Sequence, residues 1–425
     1  MNPKSDEFKA AMSDVRQQIQ AAKRRGTHGG FIDYHGCVGV TNEFIGMLED
    51  AGVCADHGDY EYAYAVAALI LVNCVKLANH ADDSAGGITT ARHHVDQVLE
   101  KVCSGVENGS PAAEYVFMQS VKDSQNKAFD GWEEFAFDLL SKTARLTTVK
   151  NKPKIYAALY ALHAQASDGT HSNWADEADA IVRLEIIKVT DGPAAAASFI
   201  AKNLKYDDVR KVAIRDALAT GDFAAAAQLC LDRINSIDRD YYWTREWYRQ
   251  LFEVYQHSGA VDKQIELAEK LLLQMGDARY YDVVKQLRQG YGTWESNRSQ
   301  LLDGLGQAMD YRDFQAILAN ESEWELLLRA VMAHPSSVFE YGKQLAARFP
   351  VETYALCLTA IRDQADDAND RAKYRRVCGL IKKLYGFGGK SEAVAVISEL
   401  RAKCPHRPAM KDELNVLEAQ LAKKK

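Results

Sequence analysis

The chain has 425 residues, 47% of them apolar, which is enough for two or three domains or one extended array. Its 8 Pro leave long Pro-free stretches that suit helices, and no stretch approaches the ~18 uninterrupted apolar residues of a membrane span. The net charge of −7 hides an asymmetry: residues 371–425 hold 14 Lys/Arg against 5 Asp/Glu, so the rest of the chain carries −16.

Ser5 is placed to cap a first helix that carries Phe8, Met12, Val15 and Ile19 at helical spacing. That helix ends in Lys23, Arg24 and Arg25, cations where the helix dipole favours them. Residues 26–30 read as a flexible loop. A helix through Phe44 and Leu48 runs to Gly52, and the turn Asp56-His57-Gly58-Asp59 opens a long apolar helix to about Asn79. Its richest part, 63–77, contains Asn73 and Lys76 and reads as a buried helix rather than a membrane span. After the turn cluster Asp82-Asp83-Ser84-Ala85-Gly86-Gly87, helices are predicted over 89–103, 112–123, 131–146, 154–166 and 173–189. Pro193 suits a first helical position, and 194–203 leads into the middle of the chain.

Residues 206–288 organise the rest. Helical patterns over 207–220, 223–237, 244–258 and 261–275 are punctuated by Gly221-Asp222, Gly259 and Gly276-Asp277. Gly221 and Gly259 are 38 residues apart, the period of a helix-turn-helix repeat that must stack on its neighbours to bury its apolar face. Beyond this stretch, helices are predicted over 280–289, 293–309, 314–318, 323–333 and 337–348, with His334-Pro335 and Phe349-Pro350 marking ends. Four more follow, over 351–363, 371–385, 391–403 and 408–422. Roughly 20 helices and no convincing strand alternation emerge. The least regular stretch, 147–153, marks the expected joint between an N-terminal helical region, 1–148, and a C-terminal helical-repeat region, 149–425; one continuous solenoid is the alternative.

The polar start Met1-Asn2-Pro3-Lys4-Ser5-Asp6-Glu7 lacks the apolar core of a signal peptide, which predicts a cytoplasmic chain. Cysteines at 37, 54, 74, 103, 230, 357, 378 and 404 are scattered, several within apolar helical patterns, as expected of reduced, buried thiols.

Patterns that suggest chemistry have plainer explanations. Gly386-Phe387-Gly388-Gly389-Lys390-Ser391 ends like a phosphate-binding loop, but the first Gly of that motif is replaced by Leu384 and a helix, not a strand, precedes it. A left-handed helix cap followed by Ser391 capping the next helix fits better. His35, Cys37, Cys54 and His57 are zinc-ligand types, yet they flank the two ends of one helix, on the order of 20 Å apart, too far to share one ion. Asp82 and Asp83 read as a helix cap, and His93-His94 point to different parts of a helix surface. No nucleophile elbow or His-Glu-x-x-His motif occurs. No catalytic residue, cofactor site or metal site is therefore expected.

Two groups remain as candidate binding residues. Tyr241, Tyr242 and Trp243 are placed in a connection, as exposed aromatic anchors for a partner, whereas Trp247, Tyr248, Leu251, Phe252 and Tyr255 follow core spacing. In 371–385, Tyr374, Val377, Leu380, Ile381, Leu384 and Tyr385 gather on one side of a helical wheel. Arg371, Arg375, Arg376, Lys382 and Lys383 lie opposite, as a solvated face or a docking face for an acidic partner or a phosphate backbone.

The C-terminal half resembles the helical region that follows the zinc finger in bacterial SWIM-type zinc-finger proteins. The resemblance rests on Trp294 with Arg298 and Leu301-Leu302, on 341–350, and on Arg407-Pro408-Ala409 before Asp412-Glu413-Leu414. Phe31-Ile32-Asp33-Tyr34 and Asp82-Asp83-Ser84 with Gly86 extend it to the N-terminal part. It implies an all-helical repeat protein linked to DNA-associated or multi-component defence systems. A SWIM finger needs Cys-x-Cys followed by Cys-x-His, and no Cys-x-Cys occurs, so the family's metal and nucleic-acid role do not carry over.

The expected fold is all-α, an α-solenoid of stacked antiparallel helix pairs of the TPR or HEAT kind. The expected function is that of a non-enzymatic scaffold with protein partners and no membrane association; a nucleic-acid-associated factor using the basic C-terminal region is the alternative. The oligomeric state is left open.

Overall fold

A computed structural model describes residues 2–166, 172–237, 241–403 and 407–422, and among these the side chains of 172–173 and 241–243 are not described. The chain forms two compact units, Met1–Asp216 and Ala217–Lys425. The joint expected at 147–153 lies inside the first unit. There Thr147 and Asn151 are buried. The Thr148 N–H donates to Asn151 Oδ1 at 2.7 Å, and the Asn151 N–H donates to Thr148 Oγ1 at 3.3 Å. The irregular sequence marks a closed, polar-capped turn rather than a linker.

The first unit holds α1 (Asp6–Gly26), α2 (Tyr34–Asp56), α3 (Tyr60–Ala78), α4 (Gly87–Gly105), α5 (Pro111–Asp123), α6 (Glu133–Thr143), α7 (Lys152–Ala166), α8 (Ser172–Thr190) and α9 (Pro193–Lys202); α10 (Asp207–Ala219) runs through the division. Ser5 caps α1 as expected, its Oγ accepting the Phe8 N–H at 3.1 Å. By length and composition α3 alone among described helices would pass for a membrane span. Here 11 of its 19 residues are buried, against α1, α2, α4 and α5. A helix apolar on most sides is what a position at the centre of a bundle demands.

The expected loop at 26–30 is instead a hairpin of β1 (Thr27–His28) and β2 (Phe31–Ile32), antiparallel, with Thr27 opposite Ile32. Gly29 and Gly30 turn it at φ 62° and 86°, the left-handed pair that the tightest hairpin turn requires. Two-residue strands are too short to show a period of two.

The second unit continues with α11 (Phe223–Ser236), α12 (Tyr241–Ser258), α13 (Val261–Glu269), α14 (Tyr281–Gly290), α15 (Trp294–Ala308), α16 (Tyr311–Asn320) and α17 (Trp324–Ala333). It ends with α18 (Val338–Ala346), α19 (Pro350–Asp366), α20 (Arg371–Gly386), α21 (Lys390–Lys403) and α22 (Pro408–Ala422). Each helix packs on the next one or two in sequence. The fold is thus all-α, built as a helical-repeat solenoid from neighbouring helix pairs.

One turn recurs in it. Gly221, Gly259, Gly292 and Gly388 each sit at positive φ after a helix, and so does Ser322, at φ 59°. The next residue's N–H reaches back five residues: Asp222 to Ala217 O at 2.8 Å, Thr293 to Arg288 O at 2.9 Å, Glu323 to Leu318 O at 2.9 Å and Gly389 to Leu384 O at 3.1 Å. That bond closes a helix and lets the next begin at once. Gly58 makes the same turn in the first unit, with Asp59 N–H to Cys54 O at 2.9 Å. Ser391, expected to cap α21, lies inside its first turn, and its hydroxyl bonds the Glu392 carboxylate.

The helix expected over 261–275 is α13 followed by a π-helical turn, Lys270–Gln274. Leu271 and Leu272 are both fully buried there. Adjacent residues of an α-helix point about 100° apart, and a wider turn lets both face inward. Directly after it the Asp277 carboxylate, 5% exposed, accepts Arg249 Nη2 at 2.7 Å and Arg279 Nε at 3.0 Å.

Candidate docking groove

The five cations singled out in 371–385 all fall on α20, whose apolar face is buried as expected through Tyr374, Val377, Ile381 and Leu384. Asp370 starts this helix by accepting the Lys373 N–H at 2.8 Å. The cations do not act as one face. Arg371, Arg375 and Lys382 turn towards α22: Glu413 Oε1 accepts Arg371 Nε at 2.7 Å and Arg375 Nε at 3.2 Å, and Lys382 Nζ donates to Gln420 Oε1 at 3.0 Å. The Arg371 hydrogen bond, joined by Arg375, holds the Glu413 carboxyl below the usual range. Arg376 and Lys383 turn the other way and have no ion-pair or hydrogen-bond partner among the described residues.

Those two line an open groove of about 680 Å³ between α18, α19 and α20. Phe339, Ala360 and Leu380 give it an apolar lining, to which Pro335 adds. Glu340 of α18 and Asp363 and Gln364 of α19 line it together with Arg376 and Lys383 of α20. Specific contacts tie the surrounding helices together. Phe387, just after α20, lies over Gly342 of α18, where a Cβ would come within 2.3 Å of the ring, and Phe339 packs beside it at 6.5 Å between centroids. Arg362 of α19 grips Glu399 of α21 with two nitrogens, at 3.0 and 2.8 Å. Pro350 opens α19 where a missing N–H costs nothing.

The groove residues on α18 and α19 were not singled out from sequence. The split of the cations was within reach of it: Arg376 and Lys383 lie about 110° around α20 from the stripe of Arg371, Arg375 and Lys382, at 3.6 residues per turn.

Tyr241, Tyr242 and Trp243 form the first turn of α12 rather than a connection, and their side chains lie outside the described residues. Further along α12, Trp247, Leu251 and Phe252 are buried, as their spacing implied. His35, Cys37, Cys54 and His57 sit at opposite ends of the unbroken α2. Cys37 is buried with its thiol against Asp83 Oδ1 at 3.7 Å, and burial first, then Asp83, pushes that thiol up to about 11. Among the described residues no group of three or more His, Cys, Asp or Glu is arranged to hold a metal ion. Asp83 also accepts the Ile88 N–H at 3.0 Å, the cap role read from its position before α4. His94 bonds the carbonyl of Thr90 while His93 bonds Gln97, so the two rings serve separate local contacts.

No family model and no curated protein matches this chain. One solved structure, a circular tandem repeat protein with novel repeat topology and enhanced subunit contact surfaces, aligns over 98% of this chain and 96% of its own. Its sequence identity is 13% and its TM-score 0.17, a likeness too slight to bear on fold or function.

Proposed function

We propose that this protein is a non-enzymatic scaffold that docks a segment of another protein in the groove between α18, α19 and α20. The observation that carries this is the juxtaposition, in one groove, of apolar Phe339, Ala360 and Leu380 with the carboxylates of Glu340 and Asp363 and with Arg376 and Lys383, two cations that have no ion-pair partner among the described residues. The occupant that fits is an amphipathic polypeptide segment, with apolar residues against Phe339 and Leu380 and acidic residues along Arg376 and Lys383. Helical-repeat folds lend themselves to this use, because stacking leaves side-chain grooves between neighbouring helices. Seven described cysteines are free thiols, which favours a reducing compartment such as the cytoplasm.

The carboxylates of Glu340 and Asp363 favour a polypeptide over a phosphate backbone in the groove, and Glu413 offsets Arg371 and Arg375 on the other side of α20. The test is selection of peptides from a displayed random library on the intact protein. Enriched peptides should combine apolar and acidic residues and lose about tenfold or more in affinity on Arg376→Glu with Lys383→Glu. The control Arg375→Glu, outside the groove, should leave them bound. Peptides indifferent to the double reversal would sink the proposal. Duplex DNA binding with a steep salt slope, lost in the same variant, would replace it with the nucleic-acid reading.

A further inference from the structure

The first unit carries a second concavity, of about 370 Å³, laid over α3 between α1 and α5. One part of its lining is apolar: Phe8 and Met12 from α1, and Ala68, Leu69 and Val72 from α3. Phe8 and Tyr115 meet edge to face at 6.4 Å, joining α1 to α5 across it. Another part is cationic, with Arg16 from α1, Lys76 from α3 and Lys122 from α5.

Those three cations are exposed, come from three different helices, and make no ion pair or hydrogen bond among the described residues. That sets them apart in a net acidic chain where many other Lys and Arg are paired. Their field is felt nearby. Lys23, whose ammonium donates to Asn73 Oδ1 at 2.8 Å, is pushed down first by burial and then by Lys76. The one carboxylate in the lining, Asp123, accepts the hydroxyl of the fully buried Tyr64 at 3.1 Å. Burial raises its pKa, which lowers the cost of neutralising it beside a bound anion. Asn73, Gln119 and Asn126 add neutral polar groups along the edge.

Three cations against one carboxylate in the same lining leave a charge of about two to be matched, and a dianion supplies it. The apolar wall requires that the anion carry an apolar body. We propose that this pocket binds a small organophosphate, its phosphate held by Arg16, Lys76 and Lys122 and its apolar portion seated on Phe8, Met12, Leu69 and Val72.

Phenyl phosphate is the probe, titrated calorimetrically into the full chain at low ionic strength, with inorganic phosphate and benzoate as comparisons. Phenyl phosphate should bind about tenfold or more tightly than either, because only it uses both parts of the lining. The variant Arg16→Gln, Lys76→Gln, Lys122→Gln should weaken it by about tenfold or more while leaving the melting temperature nearly unchanged, since exposed charges contribute little to folding. Lys9→Gln, on α1 outside the pocket, should have no effect, and Asp123→Asn should tighten binding. No measurable binding of phenyl phosphate, or binding that survives the triple variant, would overturn the site. Benzoate binding as well as phenyl phosphate would overturn the assignment to phosphate.

Discussion

Asp277 and Asp123 are two carboxylates that folding treats in opposite ways. Burial alone would push the Asp277 carboxyl up, but the hydrogen bonds from Arg279 and Arg249 outweigh it and hold the group below the usual carboxylate range. Folding therefore favours its ionised form. That contribution is fully present above the unfolded pKa of about 3.9 and is lost as pH falls through the lower folded value. Asp277→Asn should cost on the order of 2 kcal/mol at pH 7, below the range for a fully enclosed ion pair because Arg279 is open to water. The penalty should shrink in acid, which urea midpoints measured from pH 7 down to about 2 would show. Asp123 runs the other way. Burial raises it, and the Tyr64 hydroxyl offsets only part of that. Its protonated form is the one the fold prefers, so the benefit is present below the unfolded pKa and disappears as pH rises through the folded one. Asp123→Asn keeps an acceptor for Tyr64 and removes the buried charge. It should therefore stabilise the protein at pH 7 and make no difference in acid, the mirror image of the Asp277 result.

At the scale of elements, the recurring helix-closing turn demands a backbone conformation rather than a residue type. Gly221 and Gly259 announce it in the sequence because glycine is the usual occupant of left-handed φ. Ser322 adopts the same conformation with a side chain, and nothing in its identity signals the turn between α16 and α17. Two substitutions should then move stability in opposite directions. Ser322→Gly should gain up to about 1 kcal/mol by relieving the left-handed strain, and Gly221→Ala should lose about 1 kcal/mol by creating it. Thermal midpoints of both variants check this, and shifts of the same sign would remove the left-handed turn as the cause. The same logic explains what else was hidden. The π-helical turn at Lys270–Gln274 keeps the apolar pattern of an ordinary helix and differs only in how far each residue rotates. The cationic face of α20 was visible as a face. Its division into a paired half and an unpaired half depends on Glu413 and Gln420 of α22 and on the groove beside α19, neighbours that the periodicity of α20 cannot name. Spacing within a helix reports what is buried. It says little about which exposed charges find partners on other helices.

At the scale of the whole molecule, the two units differ in how their cores are connected. In the first, α3 touches α1, α2, α4 and α5, and one apolar cluster joins residues from Phe8 to Ile186, with a smaller one around Leu184 and Val209. A defect at its centre is shared by every helix that leans on α3. In the second, α15 leans chiefly on α14, α16 and the π-helical turn, so its burial is a nearest-neighbour affair. Ile70 of α3 and Leu305 of α15 are both fully buried, and truncating either to Ala should cost about 2–5 kcal/mol. The costs should be comparable, but their distribution should not. Native-state hydrogen exchange should show Ile70→Ala accelerating exchange across α1 to α5 together, because those helices can open only by disrupting the same core. Leu305→Ala should accelerate exchange in α14 to α16 and leave α20 to α22 close to wild type, because a stacked array transmits a loss only as far as successive interfaces carry it. Uniform acceleration across the second unit by Leu305→Ala would mean that its helices open as one cooperative block. The additive, neighbour-by-neighbour account of its stability would then fail.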